Sequence, residues 1–288
     1  MDIRILEQEQ IENPGEGGIT LDVTLDLDDL KQIEAEAKRA LEIERSLPAE
    51  ARHELADEDD AYYISDFVKT RATNDALEVY NIIPVAIPRV RTSGIASGSP
   101  YRCTVHVVPR PDVGLTSLDP VNLKTNRVAK PGFSAKAAQE GDESVEFLED
   151  EKILRIEMVD RLDTQLSEVE MRALGEEYQN KFEKELAARN IDPESYQVAH
   201  GLDEEQYALM MTRRAISDAH WNYVLDAVFV GAGYTITEEE LVAAFEKEFP
   251  GLGRDAFELH DLRNDLYLMI EKVRRARALK WLLDNAIK

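Results

Sequence analysis

Ile19, Leu21, Val23, Leu25 and Leu27 alternate strictly with polar residues, and a period of two fits a strand with one buried face. The same alternation returns in "YRCTVHVVPRPDVGL" (101–115), where Tyr101, Cys103, Val105 and Val107 point one way. Arg102, Thr104 and His106 point the other way, and Pro109 and Pro111 close the run. "MDIRIL" is a candidate partner strand, and "NPGEGG" (13–18) is the turn that joins it to the first alternating run. "NIIPVAIPRVRTSG" (81–94) contains two prolines and predicts an extended segment at a sheet edge.

Between the strands lie two stretches with helical spacing. Leu30, Ile33, Ala37 and Leu41 share one face of the first, with Asp28 or Asp29 as its cap. Tyr63, Phe67, Ala76, Leu77 and Tyr80 point inward from the second, which Asp59 or Asp60 caps. Their connector, "SLPAEARHELADEDDAYY" (46–63), sets six acids against Arg52 alone and reads as a solvated acidic link. Residues 1–123 thus form a small α+β unit.

Residues 124–147 are dominated by small, polar and glycine residues without a period, which predicts a linker. From 148 to 288 the chain reads as wholly helical. Ile153, Ile156, Val159, Leu162, Leu166, Val169 and Ala173 make a stripe that Tyr178, Phe182 and Leu186 resume beyond Gly175, where the phase shift suggests a bend. One helix of about forty residues would span roughly 60 Å, an arm rather than part of a compact globule. Asp192-Pro193, Asp203 with Gln206, and Thr237 with Glu240 are three further helix starts. The helix begun at Asp203 runs to Gly231, "PGLG" (250–253) ends the next, and the last carries Leu259, Leu262, Leu266, Ile270, Val273, Trp281 and Leu282. The fold class is α+β, with an elongated all-helical C-terminal domain.

Among 288 residues, 34 basic side chains face 58 acidic ones, a net charge of −24. Such a surface repels nucleic-acid phosphates and anionic lipid, so neither partner is expected. A lone cysteine points to a reducing compartment, no basic segment precedes an apolar core at the N-terminus, and no apolar run is long enough for a membrane span. A cytoplasmic location is expected.

Catalytic chemistry finds little support. The five histidines have no metal-ligand spacing to one another or to Cys103, and Cys103 and His106 fall on opposite strand faces. Cys103 reads as a core residue. "GIASGS" (94–99) is a turn, since no lysine and no helix start follow it. The basic run "KVRRARALK" (272–280) reads as the solvated face of the last helix. No metal, cofactor or catalytic residue is predicted. The helical half instead carries large adaptable side chains, Met210, Met211, Trp221, Tyr223, Val228, Phe229, Tyr267 and Met269, as candidates for an apolar polypeptide-binding groove.

Two stretches resemble the bacterial trigger factor family of chaperones. "NIIPVAIPRV" with "YRCTVHVVPRPDVGLTSLDPVNL" is similar to the end of that family's N-terminal domain, and "ITLDVTLDLDDL" to its opening strand and helix. "ARNIDPESYQVAHGLDEEQYALMM", "GYTITEEELVAAFEKEF" and "EKVRRARALKWLLDNAIK" resemble successive helices of its C-terminal domain. The resemblance implies an ATP-independent chaperone that binds unfolded or nascent polypeptides; a dedicated assembly partner for one protein ligand is the alternative. It also exposes departures. Where relatives carry a basic ribosome-docking loop, this chain has the acidic 46–60 connector, so ribosome docking there is not expected. "KPGFSAK" (130–136) echoes that loop only by chance, and the 124–147 linker stands in place of the prolyl isomerase domain, so isomerase activity is not expected.

Overall fold

The computed structural model describes residues 1–6, 17–48, 52, 54–57, 59–124 and 149–287. Four strands, β1 (Asp2–Ile5), β2 (Ile19–Leu25), β3 (Arg89–Thr92) and β4 (Tyr101–Val107), form one antiparallel sheet in the order β1-β2-β4-β3. Leu21 lies opposite Val105 and Val23 opposite Cys103, so the inward residues of the two central strands face the same way. The segment at 81–94 supplies β3 at the sheet edge, as its prolines predict.

Helices α1 (Leu27–Ser46) and α2 (Asp60–Val79) cover that face, burying Ile33, Ala37, Leu41, Phe67 and Ala76 together with Leu21, Val23 and Val105. Alanines at the contact allow the helices to lie close to the sheet. The cap of α1 is Asp26 rather than Asp28 or Asp29. Its carboxylate accepts from the backbone N–H groups of both those residues, because the helix begins immediately after the strand ends at Leu25. Asp59 caps α2 as expected.

The acidic connector is anchored rather than merely solvated. A short 3₁₀ turn at Glu54–Asp57 buries Ala56 completely, and Arg45 donates to the Ala56 carbonyl at 3.0 Å. Arg52 donates to the Leu47 carbonyl and pairs with Asp57. Glu50 and Glu58 lie outside the described residues, as do 125–147 of the predicted linker and the "KPGFSAK" stretch within it.

The stripe that predicts one forty-residue helix belongs to two, α3 (Asp150–Val159) and α4 (Glu168–Ala188). Between them the chain turns outward to pair: Leu162 bridges to Leu115, and the Asp163 N–H donates to the Gly114 carbonyl at 3.1 Å. Ser167 and Glu170 then form a reciprocal capping box that starts α4. An apolar stripe can continue in phase across such a break, so periodicity alone hides it. Gly175 lies inside α4: a Cβ there would lie 2.6 Å from the Thr212 hydroxyl, so glycine lets α4 approach the next long helix.

That helix, α6 (Glu204–Gly231), follows α5 (Pro193–His200), whose end at Gly201 adopts the left-handed conformation. Helix α7 (Glu238–Glu248) starts on the Thr237/Glu240 box. The predicted last helix is again two, α8 (Gly253–Leu262) and α9 (Tyr267–Asn285), because Asn264 takes a positive φ of 52° that ends the first.

The described chain divides into two compact units that do not follow chain order. One comprises Met1–Arg110, Leu166–Ala215 and Thr237–Ile270; the other comprises Pro111–Gln165, Ile216–Ile236 and Glu271–Lys288. In the first, the α8–α9 corner docks on α1 and α2. Arg263 reaches Glu44 and the Tyr63 hydroxyl, Arg71 donates to the Leu262 carbonyl, and Asn264 donates to Asp75 and Glu78. The second unit has its own core of Leu154, Met158, Val224, Val228, Ala278 and Leu282. The arginines of the basic run of α9 are engaged inside this unit, while Lys272 and Lys280 stay exposed as a solvated face. Arg275 pairs with Asp226 through two nitrogens, Arg274 lies over Phe229, and Arg277 lies over Tyr234.

Candidate functional site

A groove of about 1050 Å³ opens in the first unit between the β3 edge and α4. One lip is a bulge. Pro84 bridges to Pro109 and Arg89 pairs with His106, so four residues (85–88) oppose only two (107–108) on the facing chain. The surplus pushes Ile87 outward, leaving it 78% exposed. Its N–H, turned off the sheet, donates to Glu177 of α4 at 2.6 Å, and Arg89 pairs with Glu176 on the same helix.

The opposite wall follows from helical spacing. Val169, Ala173, Glu177, Asn180, Lys184 and Ala187 recur at intervals of four, four, three, four and three residues, one stripe of α4. Small residues keep the floor low at Ala173 and Ala187, while Ala86, Pro88 and Val108 complete it from the sheet. Gly17 (φ +71°) lets the chain before β2 pass close to α4, where a Cβ would meet Val169 at 2.6 Å. His106 closes one end, its Nδ1 3.1 Å from the Thr20 hydroxyl.

The electrostatics are unusual for so acidic a chain. Elsewhere some arginines pair with carboxylates, as in Arg71 with Glu36 and Asp75, or Arg155 with Asp218, while others, such as Arg213 and Arg214, form no ion pair among the described residues. Along the groove Arg172, Lys181 and Lys184 are exposed and, among the described residues, form no ion pair or hydrogen bond. The carboxylates beside them, Glu176, Glu177 and Glu183, are already engaged with Arg89, Ile87 and Gln179.

The apolar candidates from the helical half lie elsewhere. Trp221, Val228 and Phe229 are buried in the core of the second unit, and Tyr223 is buried in the same unit. Met211 and Met269 are buried in the first; Met210 and Tyr267 there are half-buried. None of the eight lines the groove. Ile87 and the α4 cations were not singled out from sequence, although the stripe of small, apolar and basic residues from 169 to 187 is the signal that marks them.

Cys103 is buried in the sheet core, and burial pushes its thiol up to about 11, so it has no nucleophilic thiolate at neutral pH. Among the described residues no group of three or more His, Cys, Asp or Glu side chains is placed to hold a metal ion. Nor is any helix long and apolar enough to cross a membrane.

Residues 149–284, just under half the chain, match the family model described as bacterial trigger factor protein C-terminus. No curated protein matches the chain. A fold of strands plus helices leading into a helical C-terminal region, with that match, supports a chaperone family. The match supports a trigger factor family protein, on the evidence of its C-terminal region.

Proposed function

We propose that this chain is an ATP-independent chaperone that takes exposed apolar segments of unfolded or nascent polypeptides. The observation that carries the reading is the match at 149–284, because α4 within that match forms one whole wall of the groove. The groove has an apolar floor, small side chains that admit a backbone, and the exposed Ile87 at its lip. Met210 and Tyr267 add partly accessible apolar surface on the same unit. The net charge of −24 favours release by keeping chaperone and client from fusing into a permanent aggregate.

On this reading residues 1–123 are a trigger-factor-like N-terminal domain, 148–288 the helical peptide-binding domain, and 124–147 a linker where relatives carry the isomerase. The protein works in the cytoplasm, without prolyl isomerase activity and without docking on the ribosome through its connector. Light scattering of a chemically unfolded client diluted into buffer tests the reading. Suppressed scattering near stoichiometric ratio supports it, and unchanged scattering at several-fold excess overturns it.

A further inference from the structure

We infer that the groove between the 85–88 bulge and α4 selects extended segments in which acidic residues flank apolar ones. The inference rests on the reading that this chain binds polypeptide, and adds which polypeptide. In a chain where acids outnumber bases 58 to 34, carboxylates are plentiful, yet several exposed cations, Arg213 and Arg214 among them, form no ion pair among the described residues. Arg172, Lys181 and Lys184 differ from these in lining one wall of one groove together. A ligand carboxylate would complete each with a charge-assisted hydrogen bond while the ligand's apolar side chains lie on Val169, Ala173 and Val108.

The spacing of the cations sets the spacing of the acids. Arg172 precedes Lys181 by nine residues and Lys184 by twelve, or roughly 13 and 18 Å along α4 at 1.5 Å per residue. An extended chain advances about 3.3 Å per residue, so acids four to five positions apart reach both ends of the wall. The occupant is a polypeptide rather than a nucleic acid. Glu176 and Glu177 sit on the same wall, where they would repel a continuous phosphate backbone but leave gaps for isolated carboxylates.

The experiment uses the full chain and three fluorescein-labelled twelve-residue peptides with one shared apolar core. The first carries two glutamates five positions apart, the second glutamines there, the third lysines. Fluorescence anisotropy is expected to rank glutamate above glutamine by about tenfold in Kd, with lysine weakest and the gap narrowing as salt rises. The Lys181→Glu/Lys184→Glu variant is expected to reverse the order, its folding verified by an unchanged circular dichroism melt. Arg172→Gln, a milder surface change, is expected to reduce the gap without reversing it. Equal binding of the three peptides, an order indifferent to charge reversal, or displacement of the glutamate peptide by a single-stranded RNA oligomer overturns the inference. If those results accompany intact aggregation suppression, the chaperone reading survives and only the acidic selectivity falls.

Discussion

Arg263, at the end of α8, donates from Nη2 to the Glu44 carboxylate of α1 at 2.8 Å, and Glu44 is only 1% exposed. The two are separated by 219 residues of sequence, and Tyr63 shares the same guanidinium nitrogen at 3.1 Å. A buried carboxylate that keeps its charge depends on such a partner, so removing the arginine alone is costly. Arg263→Ala is expected to destabilise the fold by roughly 3–5 kcal/mol in urea titration. Replacing both charges, Glu44→Met with Arg263→Met, is expected to recover most of that loss. A double variant as unstable as the single would contradict the assignment.

Glu246 tests the pH behaviour of the α7–α8 turn. Its carboxylate accepts from the backbone N–H of Gly251 at 2.7 Å and of Gly253 at 3.0 Å. These two bonds, Gly251 first, hold its carboxyl below the ordinary value of 4.5. A folded-state value depressed in this way contributes stability that is present above 4.5 and lost as pH falls through the lower folded value. Amide exchange of Gly251 and Gly253, compared with the intrinsic rate at each pH, is therefore expected to lose protection below that point. Glu246→Gln should abolish the pH dependence; protection that fell equally in the variant would remove Glu246 as its source.

How far the sequence could be read depended on whether a signal was local. The alternation at 19–27 and 101–107 specifies strand faces because each side chain's direction follows from its neighbour's. Caps such as Thr237 with Glu240 are equally local, four residues long. Ser167 with Glu170 is the same device, but the apolar stripe running through it masked the break between α3 and α4. Long-range partners were beyond reach: nothing in the letters of "LHDLRND" tells that Arg263 meets Glu44. Six of the eight apolar candidates, all but Met210 and Tyr267, are buried, for a related reason. Trp221, Val228 and Phe229 are spaced for a helix face, and spacing does not distinguish a face that meets a client from one that meets its own core. The groove escaped notice because it needs the bulge at 85–88 and the α4 stripe side by side.

Gly175 offers a steric test with a defined sign. Gly→Ala inside a helix is ordinarily favourable by up to about 1 kcal/mol. Here the new Cβ would lie 2.6 Å from the Thr212 Oγ1 and 3.3 Å from its Cβ, so the Thr212 side chain must turn away or the helices must part. Gly175→Ala is expected to cost about 1–3 kcal/mol in thermal or urea unfolding. Adding Thr212→Ala removes the nearer atom and should return part of the loss, a non-additivity that distant sites would not show. Stabilisation by Gly175→Ala alone would mean that α4 and α6 do not approach as described.

The connector after α1 gives the last test, one of contact rather than stability. Its acids stand where the family resemblance places a basic docking loop, and the part between Glu54 and Asp57 is held to the protein's own core by Ala56 and Arg45. Phosphate-rich ribosomal RNA is repelled by that charge, and Arg52 there is already engaged by the Leu47 carbonyl and Asp57. Exchanging Glu50, Glu54 and Glu58 for glutamine leaves Ala56 in place and removes three of the connector's six negative charges. Co-sedimentation with ribosomes is expected to be weak in the parent and unchanged by the exchange. Strong co-sedimentation that vanished on exchange would make the connector a docking element despite its sign.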